Sequence, residues 1–143
     1  MTSVALHITP EDWDLYSTGT IFGKINFQFG DLHFPDGGWT DFVVPILSWW
    51  LETLSTLGSA RDGSVAELHF MDGPFQILLR RAGDYYQCSL MENDHMEHEV
   101  QVSAQLLHEA VLGAARETVG FARAKQWSSD DIAELNRSLI RAA

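Results

Sequence analysis

The chain has 143 residues and carries 20 acidic side chains against nine Lys and Arg, which gives a formal net charge of −11. Hydrophobic residues make up 45% of the chain, a composition that is typical of a folded domain and excludes a disordered acidic chain. The charge argues against binding to nucleic acid or to anionic lipid, because both need Lys and Arg at the interface. It favours a basic protein as partner, and the length predicts a single domain over residues 1–143.

Cysteine content and hydropathy indicate the compartment. Cys88 is the only cysteine, which excludes an intrachain disulfide and a cysteine-rich zinc site. Residues 1–14 contain neither Lys nor Arg and no long apolar run, so they do not read as a secretory signal. The longest apolar stretch, residues 42–51, is far shorter than the ~20 residues that span a bilayer. We therefore expect a cytoplasmic protein.

Alternation of apolar and polar residues predicts strands at the start of the chain. The clearest is Phe22–Phe29, in which the odd-numbered positions from 25 to 29 are apolar and share one face. Shorter strands are expected at Val4–Thr9 and Leu32–Phe34. The segment from Pro35 to Gly38 then breaks regular structure.

The segment Asp41–Leu57 is predicted to form a helix, with Thr40 as its N-cap and Gly58 at its end. Its polar residues occupy one narrow stripe, and the rest of its circumference is apolar. A helix of this kind is buried on most sides. We therefore expect a central core helix that buries both Trp49 and Trp50.

Four strands separated by short polar turns follow, and they indicate an antiparallel meander. They are Val65–Met71, Phe75–Ala82, Tyr85–Met91 and Glu97–Val102. A helix capped by Ser103 and reaching about Gln126 comes next, and a last helix begins at Ser128 or Ser129. Strands followed by helices predict the α+β class. The expected architecture is an antiparallel sheet of about five or six strands, packed on one face by the Trp-rich helix and the two C-terminal helices.

No motif in the sequence indicates an enzyme or a metal site. The segment Gly19–Lys24 resembles a phosphate-binding loop, but its glycines are one residue too close and Ile25 stands where Ser or Thr should hold magnesium. The pair His108-Glu109 begins like a zinc-protease motif, but Leu112 occupies the position of the second histidine. We therefore predict no catalytic residue, no metal and no cofactor.

The most polar stretch of the chain is the turn between the last two predicted strands. Glu92, Asp94, Glu97 and Glu99 lie here together with two histidines. Such a composition fits a solvated turn, an acidic patch that binds a partner, or a divalent-metal site, and all three stay open. Alternation directs Glu97 and Glu99 to one face, which we expect to be exposed to solvent.

Two tryptophans stand outside the central helix, at the junctions of predicted elements. Trp39 follows a Gly-Gly pair, and Trp127 lies between the last two helices. Aromatic residues at such junctions serve either as anchors of protein interfaces or as plugs that close the end of the core. The thiol of Cys88 alternates with Tyr86 and Leu90, so we expect it to be buried and unreactive.

Two segments of the sequence resemble a family of small bacterial proteins. They are Phe34–Leu51 (FPDGGWTDFVVPILSWWL) and Phe70–Leu78 (FMDGPFQIL). Together with the residues between them they cover about a third of the chain. They are similar to immunity proteins encoded beside polymorphic toxins. The resemblance implies a small acidic cytoplasmic protein that neutralises a toxin by covering its active site, and it assigns no binding residues.

The leading hypothesis is a non-enzymatic protein-binding module, an immunity-type protein whose acidic surface occludes a basic toxin domain. Its expected contact residues are Glu92, Asp94, Glu97, Glu99, Trp39 and Trp127. Two alternatives stay open. One is a small enzyme or ligand-binding domain whose pocket, between sheet and helices, uses His33, His69 or His108. The other is a homo-oligomeric adaptor, such as a homodimer.

Overall fold

The computed structural model describes residues 1–142, and Ala143, the last residue of the expected domain, lies outside them. The elements are β1 (Val4–Ile8), β2 (Asp14–Leu15), β3 (Ile21–Phe29), β4 (Leu32–Phe34), β5 (Thr40–Phe42), α1 (Val43–Gly58), β6 (Val65–His69), β7 (Phe75–Ala82), β8 (Tyr85–Glu92), β9 (His95–Ser103), α2 (Ala104–Ala124) and α3 (Asp130–Ala142). The predicted α+β class is confirmed.

The strands form two antiparallel sheets rather than a single sheet of five or six strands. In the first sheet β3 pairs with each of β1, β2, β4 and β5. The second sheet is the predicted meander, in the order β6-β7-β8-β9. The strand count is higher than expected because β2 and β5 have only two and three residues, too few for an alternating pattern to appear in the sequence.

Helix α1 begins at Val43, two residues later than predicted. Thr40–Phe42 forms β5 and pairs with β3, so Thr40 does not cap the helix and the Ncap position falls on Phe42. The later start places Pro45 in the first turn, where its missing N–H has no helical partner to lose. The helix ends at Gly58, as predicted.

One hydrophobic core contains residues from both sheets and from all three α-helices. Trp50 of α1 is at its centre, because the indole is only 1% exposed and its ring contacts Phe27 of the first sheet and Phe70, which follows β6. The indole N–H donates to the carbonyl of His69. Helix α1 therefore joins the two sheets through a single side chain.

The two C-terminal helices begin at serine caps. The Ser103 hydroxyl accepts a hydrogen bond from the backbone N–H of Leu106, and Ser129 does the same for Ile132, which satisfies donors that a helix start leaves unpaired. The sequence had left Ser128 and Ser129 as alternatives, and Ser129 is the cap. Within residues 1–142, none of the helices is both long and apolar enough to cross a membrane.

Candidate functional site

The helices cover one face of the second sheet, and the opposite face is open to solvent. On β8, Tyr86, Cys88 and Leu90 are buried, whereas the residues between them are half-buried. The strand register carries this alternation across the sheet. We define the open face by its outward residues, which are Val65, Glu67, His69, Gln76, Leu78, Arg80, Gln87, Ser89, Met91, Met96, Glu99 and Gln101.

The acidic hairpin, residues 92–99, joins β8 to β9 at one end of this sheet. Asn93 and Asp94 form its two-residue turn, with φ angles of 50° and 66°. These left-handed conformations are the ones that a tight hairpin turn requires, and Asn and Asp tolerate them better than most residues. Asp94 therefore lies at the tip and is exposed, and Glu92 precedes it half-buried.

Glu97 and Glu99 are both exposed, as the alternation predicts, but their environments differ. Glu99 pairs with Ser89 and belongs to the open face, whereas Glu97 has no cross-strand partner. The pairing shifts by one residue at this point, which is a β-bulge. Beyond the bulge Met96 shares the open face with Glu99, and its side chain is 56% exposed.

The hairpin is negative without local compensation. Among residues 1–142, none of Glu92, Asp94, Glu97 and Glu99 forms an ion pair. The sequence from residue 82 to residue 115 contains no Lys or Arg. The four carboxylates therefore present a negative potential at this end of the sheet.

Trp39 is a plug of the core that also supports the hairpin. Its half-buried ring packs edge-on against Phe75, with the ring centroids 5.1 Å apart, and Phe75 pairs with Glu92. Its indole N–H donates to the Asp41 carboxylate over 3.0 Å. Gly73 makes room for the ring, because a Cβ there would lie 2.6 Å from it. Trp39 therefore contacts the cross-strand neighbour of Glu92, which belongs to the predicted acidic patch.

Trp127 lies in another part of the molecule. Its half-buried ring packs edge-on against Phe121 of α2, and Phe121 in turn contacts Trp13. No aromatic contact within the described residues connects Trp127 to the hairpin. Of the six predicted contact residues, the four carboxylates and Trp39 lie in one region, and Trp127 stands apart from them.

Trp49 was expected in the core, and that expectation is wrong. Its side chain is 47% exposed on α1, while its neighbour Trp50 is buried. The sequence contained a signal, because Trp49 lies three and seven residues before Glu52 and Thr56, which are exposed on the same helical face. The supposed polar stripe was misleading because two of its members, Asp41 and Ser48, are buried.

A cleft of about 560 Å³ opens between the second sheet and the start of α2. In it, the Tyr86 hydroxyl lies 2.8 Å from Nε2 of His108. Burial lowers the pKa of His108, and the nearby Arg81 guanidinium lowers it further. Burial also raises the pKa of Tyr86. At neutral pH both groups are therefore uncharged, and the tautomer of the imidazole sets which of them donates.

The three histidines of the ligand-binding alternative are not brought together. His33 lies on the first sheet, 3.3 Å from the Asn26 side chain, and His69 lies on the open face, 2.7 Å from Glu67. Only His108 lines the cleft. Arg81, which also lines it, donates to the carbonyls of Leu57, Gly58 and Ala60 and so closes the end of α1.

No protein-family model, curated protein or solved structure matches this chain.

The remaining candidate groups add little chemistry. Cys88 is fully buried, as expected, and burial raises its pKa to about 12, so an unreactive thiol stays the prediction. Within residues 1–142, no group of three or more His, Cys, Asp or Glu side chains is arranged to hold a metal ion. The acidic hairpin and the open face are therefore the features from which a function can be argued.

Proposed function

We propose that this chain is a protein-binding module that neutralises a basic partner, as a cytoplasmic immunity protein that covers the active site of a cognate bacterial toxin. The observation that carries the proposal is the group of four carboxylates on the acidic hairpin, three of them exposed and Glu92 half-buried, none of which forms an ion pair within residues 1–142. The resemblance of residues 34–78 to immunity proteins points in the same direction.

The mechanism is steric and electrostatic. A nuclease or another basic toxin domain binds anionic substrate through Lys and Arg, and the hairpin carboxylates take the place of the substrate charges. Complementary charge speeds the encounter and sets the orientation, while apolar side chains supply much of the binding energy after desolvation. Met96, beside Glu97 on the same strand, is an exposed apolar residue in the right place for this role.

Trp39 acts in this proposal as a positioning residue. It packs beneath the hairpin through Phe75 and is held by Asp41, so it fixes the hairpin without touching the partner. Binding is therefore expected to decrease when Trp39 is truncated, in proportion to the disorder introduced at residues 92–99.

Co-expression with the protein encoded by the adjacent gene tests the proposal. Rescue of growth and a complex with a submicromolar dissociation constant are expected for the wild type. The variant Glu92→Gln/Asp94→Asn/Glu97→Gln/Glu99→Gln is expected to weaken binding at least tenfold, and increasingly so at low salt. A control variant removes the same charge elsewhere, at the exposed residues Glu11, Asp14, Asp31 and Glu117. The absence of both rescue and complex, or equal weakening by the two variants, contradicts the proposal.

Ligand binding in the cleft beside His108 is a second candidate, favoured by the partly buried Tyr86–His108 hydrogen bond. A thermal-shift screen of small polar metabolites tests it. A compound that stabilises the wild type but not His108→Gln supports this candidate. Failure of every compound at millimolar concentration counts against it.

A further inference from the structure

The open face carries a depression with a volume of about 750 Å³. Leu78 of β7 lies near its centre, and Val65 and Glu67 of β6 border it on one side. Ser89 and Glu99 border it on the other. The helices pack on the opposite face of the sheet, so no helix of residues 1–142 covers this depression.

The depression spans two adjacent rows of cross-strand neighbours, and one of them contains both of its carboxylates. Glu67 pairs with Leu78, Leu78 with Ser89, and Ser89 with Glu99. Because neighbouring strands lie about 4.8 Å apart, the two carboxylate-bearing positions are about 14 Å apart with an apolar residue between them. On the Glu99 side, Ser89 lies between Leu78 and the carboxylate. Leu78 offers apolar contact and Glu99 an anion, which are what the methylene stem and the charged head of a Lys or Arg side chain need.

The two carboxylates of the row are not equivalent. The Glu67 carboxylate is already 2.7 Å from the imidazole of His69. Glu99 has no ion-pair partner in the part of the chain that the structure describes, and it also belongs to the acidic hairpin. An incoming cation therefore finds its free acceptor at Glu99.

Arg80 is the one basic side chain that lines the depression. It is exposed and faces the same side as Glu67 and Glu99, yet it pairs with neither of them within residues 1–142. It therefore opposes the entry of another cation. Removal of the Glu99 charge and removal of the Arg80 charge are therefore expected to change the affinity for a basic partner in opposite directions.

We infer that the open face is the docking surface for the partner, and that the depression over Leu78 takes a Lys or Arg side chain of that protein, which pairs with Glu99. The inference rests on the proposed protein-binding function and adds the place and chemistry of contact. Val65, 67% exposed at one edge, and Met96 at the other extend the apolar contact beyond the depression.

Affinity measurements against the adjacent-gene product, at low and at physiological salt, test the inference with four single variants. Glu99→Gln is expected to weaken binding about fivefold, and Arg80→Gln to strengthen it about two- to fivefold. Leu78→Ala is expected to weaken it at least tenfold, because it removes the apolar floor. The control Glu117→Gln removes one exposed charge from α2 and is expected to change little.

Thermal unfolding of each variant separates misfolding from loss of contact. Glu99, Arg80 and Glu117 are exposed, so these three variants stay interpretable even if Leu78→Ala is unstable. If the wild type binds but Glu99→Gln and Arg80→Gln both match it, the docking surface is overturned while the proposed function stands. If the wild type does not bind, both fail.

Discussion

Removal of the Asp41 carboxylate should destabilise the fold more than any other loss of a single carboxylate. The residue is fully buried in β5, two residues before α1 begins. Its Oδ1 accepts from the backbone N–H of Phe42 over 2.7 Å, and its Oδ2 accepts from the Trp39 indole over 3.0 Å and from the backbone N–H of Asp72 over 3.2 Å. One side chain thus joins β5, the Trp39 plug and the turn after β6.

The size of the effect follows from these three hydrogen bonds. In Asp41→Ala all three donors lose their acceptor, and a buried donor without a partner costs about 1–3 kcal/mol. The Trp39 indole and Phe42 are half-buried and Asp72 is exposed, so each donor regains water in part and its cost falls near the lower end of this range. We expect a loss of about 3–4 kcal/mol in the free energy of unfolding, a large part of the roughly 5–15 kcal/mol that holds a typical domain.

Urea unfolding followed by tryptophan fluorescence measures the loss. Asp36→Ala is the matched control, because its carboxylate accepts from the Gly38 N–H at an exposed position, and we expect a change below about 1 kcal/mol. Asp41→Asn keeps one acceptor oxygen and is expected to fall between the two. A loss below about 1 kcal/mol for Asp41→Ala refutes the view that this carboxylate organises the region.

Three further predictions concern the cleft and the core. The folded pKa of His108 is lowered, so as the pH falls below about 6.5 the imidazole of the unfolded chain is protonated before that of the folded chain. The free energy of unfolding therefore declines from about pH 6.5 toward the lower folded pKa. His108→Gln should flatten that decline in urea titrations between about pH 8 and about pH 5. Arg81→Met should cost about 2–3 kcal/mol in urea unfolding, because three carbonyls at the end of α1 lose a charged donor. With its pKa raised to about 12, Cys88 should react with iodoacetamide on the order of a thousandfold more slowly in the folded chain than in guanidinium chloride.

Each of these has an outcome that contradicts it. Equal pH dependence of the wild type and His108→Gln would show that the imidazole titrates alike in both states. Arg81→Lys keeps the charge but not the fork of donors, so full stability of that variant excludes the capping role. Rapid alkylation of Cys88 in the folded chain would contradict the predicted protection of its thiol.

The regular strands could be predicted because one buried face imposes a period of two on the sequence. Strand β7 was predicted with its observed bounds, and β3 to within one residue. Strand β5 could not be, since Thr40–Phe42 pairs with Lys24–Phe22, and such a long-range contact leaves no local pattern. Because of the same pairing, α1 begins two residues later than predicted.

The candidate site was only partly accessible from the sequence. The exposure of Glu97 and Glu99 follows from alternation, but the bulge at Glu97 depends on the pairing of two strands. Which face of the second sheet the helices cover depends on the packing of the whole chain, so the depression around Leu78 left no local signal. Trp49 was misassigned because the predicted polar stripe included Asp41 and Ser48, which are buried, so the spacing of Trp49 to Glu52 and Thr56 was given no weight.

The indole of Trp50 has a consequence at the free edge of the second sheet. The Phe70 N–H donates to the carbonyl of Phe75, so alternate residues of β6 turn toward β7 and the carbonyl of His69 turns away from it. The Trp50 indole N–H donates to that carbonyl, and the Glu67 carboxylate adds a negative charge to the same short edge. A strand from a neighbouring molecule would therefore find the His69 carbonyl already hydrogen-bonded and would be repelled by the Glu67 carboxylate. This edge is thus protected against intermolecular strand pairing and the aggregation that follows from it.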